Sequence, residues 1–241
     1  MDFSRALICT FIVLLFHNSY ALDTQVFSVY NTEMEVHSNN SIDINKKLKI
    51  KNIYDVGIIP ADIEIEIGSK EAINILFVDA YDVYGNRIKS RVKEYNDATI
   101  VILDVDYPIL PGFEHEFYVN YTLQYEPKGI FFKSLSLPIG DSSIPIEKGT
   151  FRISLPKGHS FTYVDASINH TELSKNEIVW RVDDEFSKQI VEFEYSKVPI
   201  NVGNLKGSQI FWISINGVLL IILIFIIRME VKKAMNEPDD K

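Results

Sequence analysis

Two kinds of hydrophobic pattern divide this chain. Each end carries an uncharged and mainly apolar run, and between the runs apolar and polar residues alternate with period two. Ile63, Ile65 and Ile67 alternate with Glu64 and Glu66. Phe117, Val119, Tyr121, Leu123 and Tyr125 alternate with Tyr118, Asn120, Thr122, Gln124 and Glu126, and Val191, Phe193 and Tyr195 alternate with Glu192 and Glu194. Successive side chains of a strand point to opposite faces, so each pattern predicts a strand with one face buried and one face wet. Further strands are expected over 26–37, 42–50, 73–79, 100–105, 151–155 and 178–182. Ile59-Pro60, Tyr84-Gly85-Asn86, Pro108 to Gly112 and Pro156-Lys157-Gly158 break the pattern through restricted proline or permissive glycine geometry. Short strands at this spacing, with no ordinary amphipathic helix among them, predict an all-β ectodomain of tandem β-sandwich-like units.

The C-terminal run, 210–227, contains no charge. At 1.5 Å per residue it reaches about 27 Å, close to the thickness of a hydrocarbon core. Trp212 near one end and Arg228 closing the other complete the expectation of a single C-terminal transmembrane helix. Ser214, Asn216 and Gly217 interrupt its aliphatic content. Asn216 is a candidate partner contact, able to hydrogen-bond across to another helix; interfacial water or headgroups are the alternative. The N-terminal run, 6–16, is too short to cross as a helix. Arg5 precedes it, and Ser19 and Ala21 occupy the small-residue positions of a signal-peptidase site, so a leader cleaved after Ala21 is expected, with an uncleaved anchor or a buried strand as alternatives. Arg228, Lys232 and Lys233 follow the apolar run directly, which places the tail in the cytoplasm and the β body across the membrane.

The expected organisation is a signal peptide over 1–21, a β-sandwich-like extracytoplasmic domain over 22–128 and a smaller β domain over 129–198. A stalk over 199–209, the transmembrane helix over 210–227 and a cytoplasmic tail over 228–241 complete it. The break is placed at Glu126-Pro127-Lys128-Gly129, and Phe131-Phe132 is expected to cover the junction between the units. The stalk, with its glycines and polar residues, is expected to permit tilt. Trp180 is expected to pack in the core. Neither unit has the cysteine–tryptophan–cysteine arrangement of immunoglobulin domains.

Charge and cysteine content narrow the function classes. The formal net charge is -9 and resides in the exported region, an unsuitable footprint for a nucleic-acid binder. The one cysteine, Cys9, falls in the leader. A mature body without it has no disulfide, thiolate zinc site or cysteine nucleophile, which fits a prokaryotic cell envelope better than an oxidising secretory route. Asn39, Asn120 and Asn169 begin Asn-X-Ser/Thr triplets and are candidate glycan acceptors.

Other clusters read as ordinary surface. In Glu114-His115-Glu116 the histidine of a strand points away from both glutamates, so the triplet cannot form one compact metal site. Asp104 and Asp106 approach the Pro108 turn, and Asp183-Asp184-Glu185 reads as a solvated turn. The chain has no helical histidine pair of the zinc-protease type, no nucleophile elbow and no phosphate-cradling glycine loop. No catalytic, cofactor or metal residue is assigned. Tyr118, opposite the apolar face of its strand, is a candidate contact for a protein or sugar partner.

Together these features predict a single-pass type I protein of the cell envelope. It would contact membrane lipid and act as a noncatalytic extracytoplasmic interaction protein, binding an envelope or integral-membrane protein or a glycan. A noncatalytic accessory subunit of a larger membrane enzyme or transport complex is the first alternative. A membrane-anchored hydrolase, with carboxylates, histidines or a serine converging only in the fold, is the second.

Overall fold

The computed structural model describes residues 24–68, 74–95, 99–139, 142, 144–165, 172–183, 189–200 and 205–236. The expected leader and its cleavage site lie outside them. Thirteen strands precede one helix: β1 (Gln25–Val36), β2 (Ser41–Asn52), β3 (Ala61–Gly68), β4 (Asn74–Asp82), β5 (Lys89–Glu94), β6 (Thr99–Val105), β7 (Glu114–Gln124), β8 (Phe132–Ile139), β9 (Lys148–Ser154), β10 (Ser160–Val164), β11 (Glu172–Leu173), β12 (Glu177–Asp183), β13 (Gln189–Ser196) and α1 (Gly207–Asn236). They form a seven-stranded sheet in the order β11-β12-β9-β1-β2-β7-β4 and two three-stranded sheets, β10-β13-β8 and β3-β6-β5.

Alternation places the buried faces of β3, β7 and β13 as expected, whereas β8 and β10 fall outside the strands that the pattern predicts. Leu48, Phe117, Val119, Phe151 and Trp180 line the inner side of the large sheet. Ile63, Ile65, Val101 and Leu103 come from one small sheet and Leu137, Val191 and Phe193 from the other, all within one hydrophobic cluster. A register shift between Phe27 and Val29 resets the period of β1, so Phe27 and Tyr30 are both fully buried although three residues apart. Strand β5 escapes the pattern because it is an edge strand whose residues are mostly exposed. An edge needs little apolar content and benefits from charge.

The expected break at Glu126 to Gly129 does not interrupt the hydrogen-bonded framework. β9 lies in the 129–198 stretch, yet it pairs in parallel with β1, Tyr30 opposite Gly149, and β12 continues the same sheet beyond it. The two stretches share that sheet and its core. Gly129 is nevertheless a constrained turn. Its φ is 94°, and a Cβ there would lie 2.1 Å from the Phe132 carbonyl oxygen.

α1 starts at Gly207 and continues past Arg228 to Asn236, so part of the expected tail is helical. The residues after Arg228 include good helix formers and no breaker before Pro238, which lets the hydrogen-bond ladder run on. Its apolar stretch, Gly207–Lys232, is long and apolar enough to cross a membrane, and beyond its first turns the body leaves it uncovered. The protein is thus a β-sheet body followed by one long apolar helix with the properties of a single membrane span.

Trp180 of β12 is 2% exposed, lies opposite Phe151 of β9 in the large sheet and belongs to the shared hydrophobic cluster. Trp180→Ala is expected to lower the unfolding free energy of the intact protein in detergent by about 3–5 kcal/mol. Chemical denaturation followed by far-UV circular dichroism measures it, and a loss below about 1 kcal/mol would contradict a shared core.

Candidate functional site

The first turn of any helix presents backbone N–H groups without intrahelical acceptors. In α1 the β body supplies one. Glu194 of β13 is only 2% exposed, and its carboxylate accepts hydrogen bonds from the Ser208 backbone N–H at 3.1 Å and from the Ser208 hydroxyl. Thr162 of β10 donates to it from the other side at 2.7 Å. The positive end of the helix dipole favours a carboxylate at this position. Alongside, Lys206 donates to Glu192, and its ammonium lies 5.4 Å from the centre of the Tyr163 ring. The hydrogen bond to Glu192 raises the Lys206 pKa above the ordinary lysine value.

Close approach makes this seat possible. A Cβ on Gly207 would come within 2.8 Å of Thr162 Cβ and 2.9 Å of the Ile200 carbonyl oxygen. Phe211, in the second turn, packs its ring against Phe131 at 6.2 Å and Phe132 at 5.5 Å between centroids. Phe131 and Phe132 therefore cover the junction between body and helix, a correction to their expected place between two β units. Lys206 and the first turn of α1 are likewise held on the body, where sequence composition suggested a tilting stalk.

A second organised surface lies on the outer face of the large sheet. Tyr81 of β4 and Tyr118 of β7 are directly opposed, with rings stacked at 5.4 Å and 18°. The Tyr118 hydroxyl donates to Glu116 Oε1 at 2.7 Å. Lys47 and Lys49 each reach the same carboxylate at 3.1 Å, and Lys47 lies 5.7 Å from the centre of the Tyr118 ring. The Tyr118 hydrogen bond, followed by those from the two lysines, outweighs desolvation and holds the Glu116 carboxyl down at about 2. These contacts hold the two aromatic rings in a fixed arrangement on the outer face.

The expected site residues do not converge. Asn39 is exposed on the turn between β1 and β2, where its Oδ1 accepts hydrogen bonds from the Ser41 backbone N–H at 3.2 Å and hydroxyl at 2.8 Å. Asn120 is half-buried on the outer sheet face and donates to the Tyr81 hydroxyl at 3.3 Å. Asn169 lies outside the described residues. Asn216 is exposed on the part of α1 that the body leaves uncovered.

The carboxylate and histidine clusters are drawn into local contacts. His115 hydrogen-bonds to Tyr107 and stacks on Phe117, and burial lowers its pKa below the ordinary histidine value. Glu116 belongs to the lysine and tyrosine network instead. Asp104 faces Lys89 at 3.9 Å, while Asp184 and Glu185 lie outside the described residues. Among the described residues no group of three or more His, Cys, Asp or Glu is arranged to hold a metal ion.

Glu194 was not legible as a site residue. It occupies a polar position in an alternating strand, which predicts solvent exposure, but β10 and the start of α1 cover it. Lys46 shows the same effect in the core. It is 4% exposed, with its ammonium donating to the Tyr30 hydroxyl at 3.0 Å and to Thr32 at 3.2 Å.

No family model matches the chain. It is 25% identical over 132 residues to an uncharacterized protein of Methanocaldococcus jannaschii, covering 54% of this chain and 90% of that one. Among solved structures, a Legionella pneumophila protein described as a candidate nutrient-binding protein aligns at a TM-score of 0.44 and 7% identity, over 72% of this chain and 67% of that chain. An M1 zinc metallopeptidase of Deinococcus radiodurans aligns at 0.39 and 13%, over 72% of this chain. The chain spans only 42% of that peptidase. Neither structural likeness carries a functional assignment.

Removing the seat carboxylate tests its role. Glu194→Ala is expected to speed hydrogen exchange at the Ser208 amide by about tenfold or more, because hydrogen bonds to a charged group contribute roughly 1.5–3 kcal/mol. Unchanged exchange would exclude Glu194 as the anchor. On the outer face, the depressed pKa of Glu116 contributes stability that is present above its unfolded value of 4.5 and lost as pH falls toward about 2. Glu116→Gln is expected to flatten the acid limb of the stability profile across that window, as read by denaturant midpoints at successive pH values.

Proposed function

We propose that this membrane-anchored protein is a noncatalytic accessory subunit of a larger membrane enzyme or transport complex, with its β body on the extracytoplasmic side. The observation that carries the reading is a long helix left bare by its own body, with Asn216 on its surface and its first turn locked to that body through Glu194. A carboxamide surrounded by hydrocarbon is costly unless it finds a hydrogen-bond partner, and a neighbouring helix supplies one. The locked seat transmits the consequence. A partner that grips the span also sets the orientation of the Tyr81–Tyr118 face, so one assembly engages both surfaces.

On this reading Tyr118 is a preorganised contact for the extramembrane part of the partner, and Asn216 marks the packed side of the span. Asn39, exposed on its turn, is the better placed of the two described glycan acceptors, because the Asn120 amide is already engaged by Tyr81. A free-standing envelope adhesin would use the Tyr118 face alone and leave the span to lipid.

Photo-crosslinking in native membranes separates these readings. Probes placed at Asn216 and, separately, at Tyr118 are expected to capture the same integral-membrane protein, and Asn216→Leu is expected to reduce its co-purification. Capture of lipid alone from Asn216, with a protein partner caught only from Tyr118, would replace the subunit reading with the adhesin one.

A further inference from the structure

Beside the helix seat lies a cavity of about 270 Å³ that shares only Phe131 with the contacts described above. Its lining includes Lys133, Lys197 and His159 together with the apolar side chains of Ile130, Phe131 and Val198, and no carboxylate. That composition stands out in a chain whose net charge is -9. The Lys133 ammonium is held by Asn40 Oδ1 at 2.7 Å, which leaves further N–H donors on the same nitrogen. His159 is 8% exposed, and its Nδ1 has no hydrogen-bond partner among the described residues. Burial lowers the His159 pKa, opposed by the backbone of Lys157 and Pro156 and reinforced by the charges of Lys197 and Lys133.

The position of the cavity relates it to the membrane. Phe131 forms part of its wall and packs on Phe211 of α1, just inside the apolar run. Ser196 donates to the Phe131 carbonyl oxygen at 2.7 Å and so ties this wall to β13. Ile130 and Phe131 are 87% and 65% exposed. Large apolar side chains exposed around the base of a membrane helix belong to the interfacial layer, where headgroups begin.

We infer that this cavity binds the phosphate of an anionic phospholipid from the leaflet at the N-terminal end of α1. Lys133 and Lys197 face the phosphate, while Ile130, Phe131 and Val198 meet the glycerol and upper acyl region. Lys133 is half-buried and Lys197 exposed at the rim, and two cations converging on one concave surface attract an anionic headgroup more strongly than the same cations spread apart. Apolar walls then favour a lipid over a free ion. The inference requires only that α1 spans the membrane, and it stands or falls separately from the subunit reading.

The test uses the intact protein in nanodiscs of phosphatidylcholine doped with phosphatidylglycerol, released into native mass spectrometry to count retained lipids. Retention is expected to favour phosphatidylglycerol, and Lys133→Gln/Lys197→Gln is expected to reduce that preference by about tenfold or more. Lys133→Arg/Lys197→Arg is expected to preserve it, as is Lys89→Gln/Lys93→Gln, which removes the same charge from β5 on another sheet. Equal retention of the two lipids, or an undiminished preference in the Lys133→Gln/Lys197→Gln protein, would overturn the inference. Binding of inorganic phosphate to the lipid-free protein in detergent as tightly as phosphatidylglycerol would also overturn it, by making the cavity a site for a free ion.

Discussion

Glu194 resolves a problem common to every body attached to a membrane helix, namely what satisfies the first amides of the span. Here the acceptor is a buried carboxylate on the central strand of a three-stranded sheet, steadied by Thr162 and shared with both donors of Ser208. Because that carboxyl group is shielded from water, losing a donor removes a hydrogen bond that solvent cannot readily replace, so the geometry is strongly held. The glycine that begins the helix, the aromatic cluster at its second turn and the Lys206–Glu192 pair all depend on the same close approach.

The body can act as a rigid fixture because its halves are not independent. The parallel pairing of β1 with β9 brings the later strands into the sheet begun by the earlier ones, and the small sheets close over one shared core. The strand that carries Glu194 is backed by that core through Phe193 and Tyr195, both buried. Rigidity thus extends from the outer tyrosine face, through the packed interior, to the base of the span.

Much of this was readable from the chain. Alternation identified most long strands and their buried faces, since one residue of slip would expose every apolar side chain. Proline and glycine marked the turns, and the uncharged C-terminal run marked the helix. The charged edge strand β5 escaped because its exposed residues carry no buried face to imprint a period. The division at Glu126 to Gly129 reflected a real turn but not a boundary in the sheet, since local pattern specifies which way a strand faces and not which strand lies beside it.

The candidate site divides in the same way. Tyr118 and Asn216 could be singled out because each is the wrong chemical type for its local surroundings, an aromatic on a polar face and an amide in an aliphatic run. Glu194 and Lys133 could not, since a charged residue on the polar side of a strand is ordinary until something covers it. Residue order alone determined the elements, the faces they bury and the apolar length of the span, because those follow from periodicity and composition over a few neighbouring positions. Tertiary structure decided which strands became neighbours, which carboxylate received the helix and which cations shared a cavity, because each of those contacts joins residues far apart in the chain whose meeting no local pattern encodes.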